Sequence, residues 1–192
     1  MANVQSAAGV VVSQDERRVG AIGELATRIS RACFELPHEM RSQIKAALAH
    51  AVREQALLSA EQRQPADGCY ARHVLYADPS GRFTILAIVW AGGQFSPPHA
   101  HHTWCGYAVY EGDLDETVFH WDPTEMRAEP LPAEVRKPGY SCYAGAGLDQ
   151  IHRLGNSGTR PAISIHVYGV ERDHVATHVN RLVETGATRT TV

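Results

Sequence analysis

The chain has 192 residues, 44% of them hydrophobic and 20% charged, with a net charge of −3 at neutral pH. That length favours one domain over residues 1–192, large enough to bury a core of its own. The small net charge and the absence of a basic stripe argue against nucleic acid as a partner, and no apolar run approaches the ~20 residues that cross a bilayer.

Residues 1 to about 12 read as a flexible tail. No cationic start precedes their short apolar patch, so they make a poor signal peptide, and a cytoplasmic protein is expected. The segment SQDERRVGAIGELATRISRACFEL follows. It sets Val19, Ile22, Ala26, Ile29 and Cys33 three and four residues apart, the spacing of an amphipathic helix, with Ser13 or Asp15 as its cap. Pro37 suits the first turn of a second helix, on which Met40, Ile44, Leu48 and Val52 step by four. Leu57 and Leu58 extend that helix or begin a third, and RQPADG at 63–68 breaks the pattern.

After residue 69 the texture changes. CYARHVLYAD, RFTILAIVWA, CGYAVYEG, LDETVFHW, YSCYAGA and AISIHVYGV are short, rich in β-branched and aromatic residues, and bounded by turn residues. DPSG at 78–81 fits a type I turn. The expected architecture is mainly β, a small barrel or jelly-roll over about 69–170. A helical segment of two to three helices, about 13–62, packs against it. The four cysteines (Cys33, Cys69, Cys105 and Cys142) form no CxxC pair, so a zinc knuckle is disfavoured and reduced thiols, mostly in the core, are expected.

Eleven histidines are many for this length. His99 and His101 stand two apart in a strand-like stretch and so share a face, from which two imidazoles can reach one ion. His102 points the other way. A third ligand has to come from another strand: His152 is the best candidate and His166 the second, with His120, His174 and His178 weaker. An HxH pair in isolation is more often incidental than ligating. Here glycines frame it, with Gly93 six before His99 and Gly112 eleven after His101, and Asn156 stands four after His152.

That frame resembles the two motifs of the cupin superfamily, small β-barrels that hold a metal in the barrel mouth. The glutamate ligand of the usual first motif is replaced here by Cys105. With that departure the chain resembles the cysteine dioxygenase family of thiol dioxygenases. YARHVLY at 70–76, EGDLDETVFHW at 111–121, IHRLGN at 151–156 and SIHVYG at 164–169 match that family's segments in its order. The resemblance implies Fe(II) held by His99, His101 and His152, and addition of both atoms of O2 to the sulfur of a small thiol carboxylate to give a sulfinic acid. It implies that Arg72 grips the substrate carboxylate, that Ser164, His166 and Tyr168 form a relay, and that Cys105 lies near Tyr168 and could be cross-linked to it by a thioether. Tyr168 would stand near bound O2 or substrate. An arginine at position 72 tilts the substrate toward L-cysteine. 3-Mercaptopropionate and mercaptosuccinate are the nearest alternatives. More distant ones are another class of metal-dependent cupin enzyme or a metal-free binding cupin. Trp104 and Tyr107 are expected in the pocket or core, and Arg153 in a structural role.

Overall fold

The computed structural model describes residues 12–186, so the expected N-terminal tail lies largely outside the described residues. Helix α1 (Gln14–Ala32) begins at Ser13, whose hydroxyl accepts from the Glu16 backbone N–H while the Glu16 carboxylate accepts from the Ser13 N–H. This reciprocal capping satisfies two otherwise unpaired donors. Helix α2 (Pro37–Ala51) has Pro37 in its first turn, where the missing N–H costs nothing. The chain then makes a short 3-10 turn, Gln55–Leu57, instead of a third α-helix, and buries Leu57.

Among the described residues eleven strands follow: β1 (Ala71–Ala77), β2 (Thr84–Trp90), β3 (His99–His101), β4 (Cys105–Glu111), β5 (Leu114–Asp122), β6 (Arg127–Pro130), β7 (Glu134–Arg136), β8 (Ser141–Ala144), β9 (Gly147–Gly155), β10 (Ala162–Tyr168) and β11 (Asn180–Leu182). The antiparallel pairs build one sheet in the order β1-β2-β10-β4-β8 and another in the order β11-β3-β9-β5-β6, with β7 also on β5. Two facing antiparallel sheets under an N-terminal helical layer make the expected cupin architecture. The sheet work extends to Leu182, beyond the expected end near 170. β6, β7 and β11 are short edge segments without a marked apolar run, which is why the sequence does not announce them.

Strand alternation explains how the first sheet serves two cores. Ile85, Ala87 and Val89 of β2 and Ile163, Ile165 and Val167 of β10 pack with Leu25, Ile29, Ile44 and Leu48 of the helices. The intervening residues Leu86, Ile88, Trp90, Ser164, His166 and Tyr168 turn into the barrel. Both faces are covered, so β2 and β10 are buried at every residue. A Cβ at Gly106 would stand 3.0 Å from both Ile44 and Leu48 side chains, so the absent side chain lets α2 lie close on β4. Asp78 and Arg82 fasten the turn after β1. The carboxylate accepts from Arg82 Nε at 2.8 Å, while Arg82 Nη2 also donates to Ser30 on α1.

Two expectations are corrected. Val19 is 67% exposed because the helix face that meets the barrel runs through Leu25, Ala26, Ile29 and Ala32. Of the four free thiols only Cys105 is buried. Cys33 and Cys142 are half-buried and Cys69 is exposed.

Candidate metal centre

β3 and β9 pair antiparallel, and their register sets His99 directly opposite His152. A β-bulge between His99 and His101 then displaces the partner of His101 to Gly147. His99, His101 and His152 are all buried, and one ring nitrogen from each lies within 4.8 Å of the others, the only such group among the described residues. His102 lies just past the end of β3 and faces solvent. His166 also faces the interior but stands outside the trio, tied to Ser164 and Tyr168. His120, His174 and His178 take no part.

The hydrogen bonds behind the trio orient it. His99 Nδ1 lies 2.8 Å from the Pro97 carbonyl, an acceptor only, so Nδ1 carries the proton and the lone pair is left on Nε2. His152 Nδ1 lies 2.8 Å from Glu116 Oε1, with the same consequence. Burial pushes the Glu116 carboxyl up, but the His152 and Arg136 hydrogen bonds outweigh it and hold the group below its ordinary value, as a carboxylate. Arg136 Nε donates to the other Glu116 oxygen at 2.8 Å. Burial, with repulsion from His152, lowers His99 to about 4. Burial with both neighbouring histidines lowers His101 to about 2. Those two rings are therefore neutral at physiological pH, the form that binds metal. Three imidazoles, two of them oriented by oxygen acceptors, suit a first-row divalent ion.

Sequence reasoning missed Glu116. Its signal was available: in LDETVFHW, Leu114 and Glu116 fall on one strand face, and a carboxylate on an apolar face needs a partner.

A narrow cavity of about 20 Å³ opens over the three histidines. That is little more than the space one water molecule occupies. Arg72 stands at its mouth on β1, with Nη2 donating to the Tyr70 hydroxyl at 2.9 Å. Tyr70 was also missed, although its i,i+2 spacing puts it on the Arg72 face. Trp90, Ser96, Leu154 and Asn180 complete the wall with Cys105, His166 and Tyr168.

The relay has one direction. Trp90 Nε1, a donor only, gives its proton to Ser164 Oγ at 3.0 Å. Ser164 Oγ lies 2.8 Å from His166 Nε2, the one partner left for the serine proton, so Nε2 accepts. Burial keeps His166 far below its usual range and neutral. Its remaining proton is on Nδ1, which donates to Tyr168 Oη at 3.0 Å. The Tyr168 O–H is thereby free to donate into the cavity, and burial holds it protonated. Cys105 is the cross-strand partner of Tyr168 in the β4–β10 register, and both belong to one buried cluster. Tyr107 lies in the core against His166, at 5.5 Å between ring centroids. Trp104 packs on Tyr143, and Arg153 is exposed over Phe95.

Asn156, four after His152, binds the loop beneath. Its amide donates to the Trp90 and Arg160 carbonyls, and its oxygen accepts from the Gly158 N–H. Gly93 and Gly112 both adopt positive φ, at 81° and 70°, which explains the glycine frame around the histidines.

Residues 65–180 match the family model described as cysteine dioxygenase type I. Cysteine dioxygenase type 1 of Danio rerio is 30% identical over 103 residues, covering 52% of this chain and 50% of that protein. The Rattus norvegicus protein of that name is 29% identical over 126 residues, covering 59% and 62%. The chain therefore spans about half to three-fifths of the length of these curated relatives. Among solved structures, a double-stranded β-helix protein from Klebsiella pneumoniae has a TM-score of 0.47 at 21% identity, over 67% of this chain and 96% of that one. The Cupin_2 domain of an XRE family transcriptional regulator from Enterobacter cloacae has a TM-score of 0.38 at 20% identity, over 54% and 99%.

Proposed function

The chain belongs to the cysteine dioxygenase type I family, and from that premise we propose that it is an Fe(II)-dependent thiol dioxygenase converting L-cysteine to cysteine sulfinate in the cytoplasm. The observation that carries the reading is the oriented trio of His99, His101 and His152 beneath an arginine-mouthed cavity. His99, His101 and His152 would hold the iron, which supplies a binding place for thiolate and O2 and lowers the thiol pKa. Arg72 binds the substrate carboxylate through its planar fork, with Tyr70 steadying the guanidinium. Ser164 and His166 position Tyr168, whose hydroxyl donates toward the oxygen or sulfur being transformed. The small cavity excludes bulky thiols and most water.

The test is O2 uptake by iron-loaded protein with L-cysteine, 3-mercaptopropionate and mercaptosuccinate at equal concentration, with sulfinates identified by mass. L-Cysteine should be preferred, Arg72→Ala should raise its KM ~10-fold or more, and His102→Ala should change nothing. Preference for another thiol would move the specificity while keeping the iron site. No uptake with any thiol at full iron occupancy would refute the activity. The Cys105–Tyr168 register also supports a thioether between them. The expected sign is an intact mass short by two hydrogen atoms, mapped to a joined peptide.

A further inference from the structure

A second cavity lies at the seam where the β8 edge of one sheet faces β5 and β9 of the other. It shares two walls, Cys105 and His152, with the cavity over the histidine trio. Its apolar sides come from Val118, Ala144 and Ile151. Its charged lining is three cations (Arg41, Lys45 and Arg136) against one carboxylate, Glu116. Arg136 already answers the Glu116 charge, so Arg41 and Lys45 on α2 leave the cavity positive. Its lining includes Tyr107, whose hydroxyl is fully buried and without a hydrogen-bond partner. Glu116 and the Cys142 thiol lie near it. A buried hydroxyl without a partner is costly, and a ligand oxygen would satisfy it.

We propose that this seam cavity is a second ligand site, selective for the sulfinate product over the thiol substrate. The inference rests on the proposed activity. Oxidation takes a thiol and O2 to a sulfinate and a proton: two S–O bonds form, the O–O bond breaks, sulfur is oxidised and O2 reduced. With L-cysteine, a zwitterion of zero net charge becomes a product with one net negative charge. A positive cavity separates those two species. Arg41 and Lys45 meet the acidic groups at the mouth, and Tyr107 donates to an oxygen. Because His152 and Cys105 belong to both cavities, occupancy of one is felt in the walls of the other.

Isothermal titration of the metal-free Arg72→Ala variant with L-cysteine sulfinate isolates this site, because the carboxylate fork of the first cavity is gone. One saturable event is expected, weakening with added salt. It should weaken at least ~10-fold when Arg41→Glu and Lys45→Glu are added, and L-cysteine should bind at least ~5-fold more weakly than the sulfinate. Should the double reversal fail to fold, Lys45→Gln gives the same comparison with a smaller loss. No binding to Arg72→Ala, affinity indifferent to these charge changes, or equal affinity for the two ligands overturns the proposal. Failure of the proposed activity shows elsewhere, as absent O2 uptake by the wild-type protein.

Discussion

Glu116→Gln should cost metal affinity although Glu116 is one residue removed from any ion. The carboxylate uses both oxygens as acceptors, one for His152 Nδ1–H and one for Arg136 Nε–H, each at 2.8 Å. Glutamine has the same shape but only one acceptor oxygen. If that oxygen stays with the guanidinium, the amide NH2 faces the His152 Nδ1–H, donor against donor. His152 escapes by moving its proton to Nε2, which removes the lone pair a metal needs. Loss of such an orienting partner typically lowers metal affinity ~10–100-fold, or about 1.4–2.7 kcal/mol. Competition with a chelator of known affinity, using Fe(II) under anaerobic conditions and Co(II) as a spectroscopic probe, measures it directly. Glu116→Asp, which keeps two acceptor oxygens on a shorter arm, should lose less. Affinity for both metals within twofold of wild type in Glu116→Gln would refute the reasoning.

Trp90→Phe removes the donor that fixes the Ser164 proton, so Tyr168 is no longer held as a donor toward the cavity. kcat should fall with metal content unchanged, and Ser164→Ala should fall comparably, both read by O2 uptake at matched iron loading. Gly106→Val thrusts a branched side chain against Ile44 and Leu48. Overpacking of this kind costs ~1–3 kcal/mol, seen as a Tm lowered by several degrees, while the histidine trio on the other side of the sheet still binds metal. Asp78 is held below its ordinary 3.8, first by the Arg82 side-chain hydrogen bond. A depressed carboxyl contributes stability above its unfolded value, and that contribution is lost as pH falls through the lower folded value. Asp78→Asn should therefore be less stable than wild type at neutral pH, with the gap closing only below about pH 3.8 in urea titrations; a constant gap down to pH 2 would count against the ion pair.

The sequence by itself determined what depends on local spacing. His99 and His101 share a face because strand side chains repeat every two residues, and the same rule lines up Ser164, His166 and Tyr168. The Ser13 cap and the Pro37 helix start were legible for the same reason, since capping and periodicity act within a few residues. Val19 went astray because periodicity gives a helix an apolar side but not the angle at which the barrel meets it. The tertiary structure alone decided what depends on register between distant strands. It put His152 opposite His99 across β3 and β9, set Cys105 beside Tyr168 across β4 and β10, and brought Glu116 of β5 behind His152. It also placed Arg41 and Lys45 of α2 over a seam between sheets. Those pairings join residues dozens of positions apart, and no short-range pattern encodes which interior side chains a folded barrel will press together.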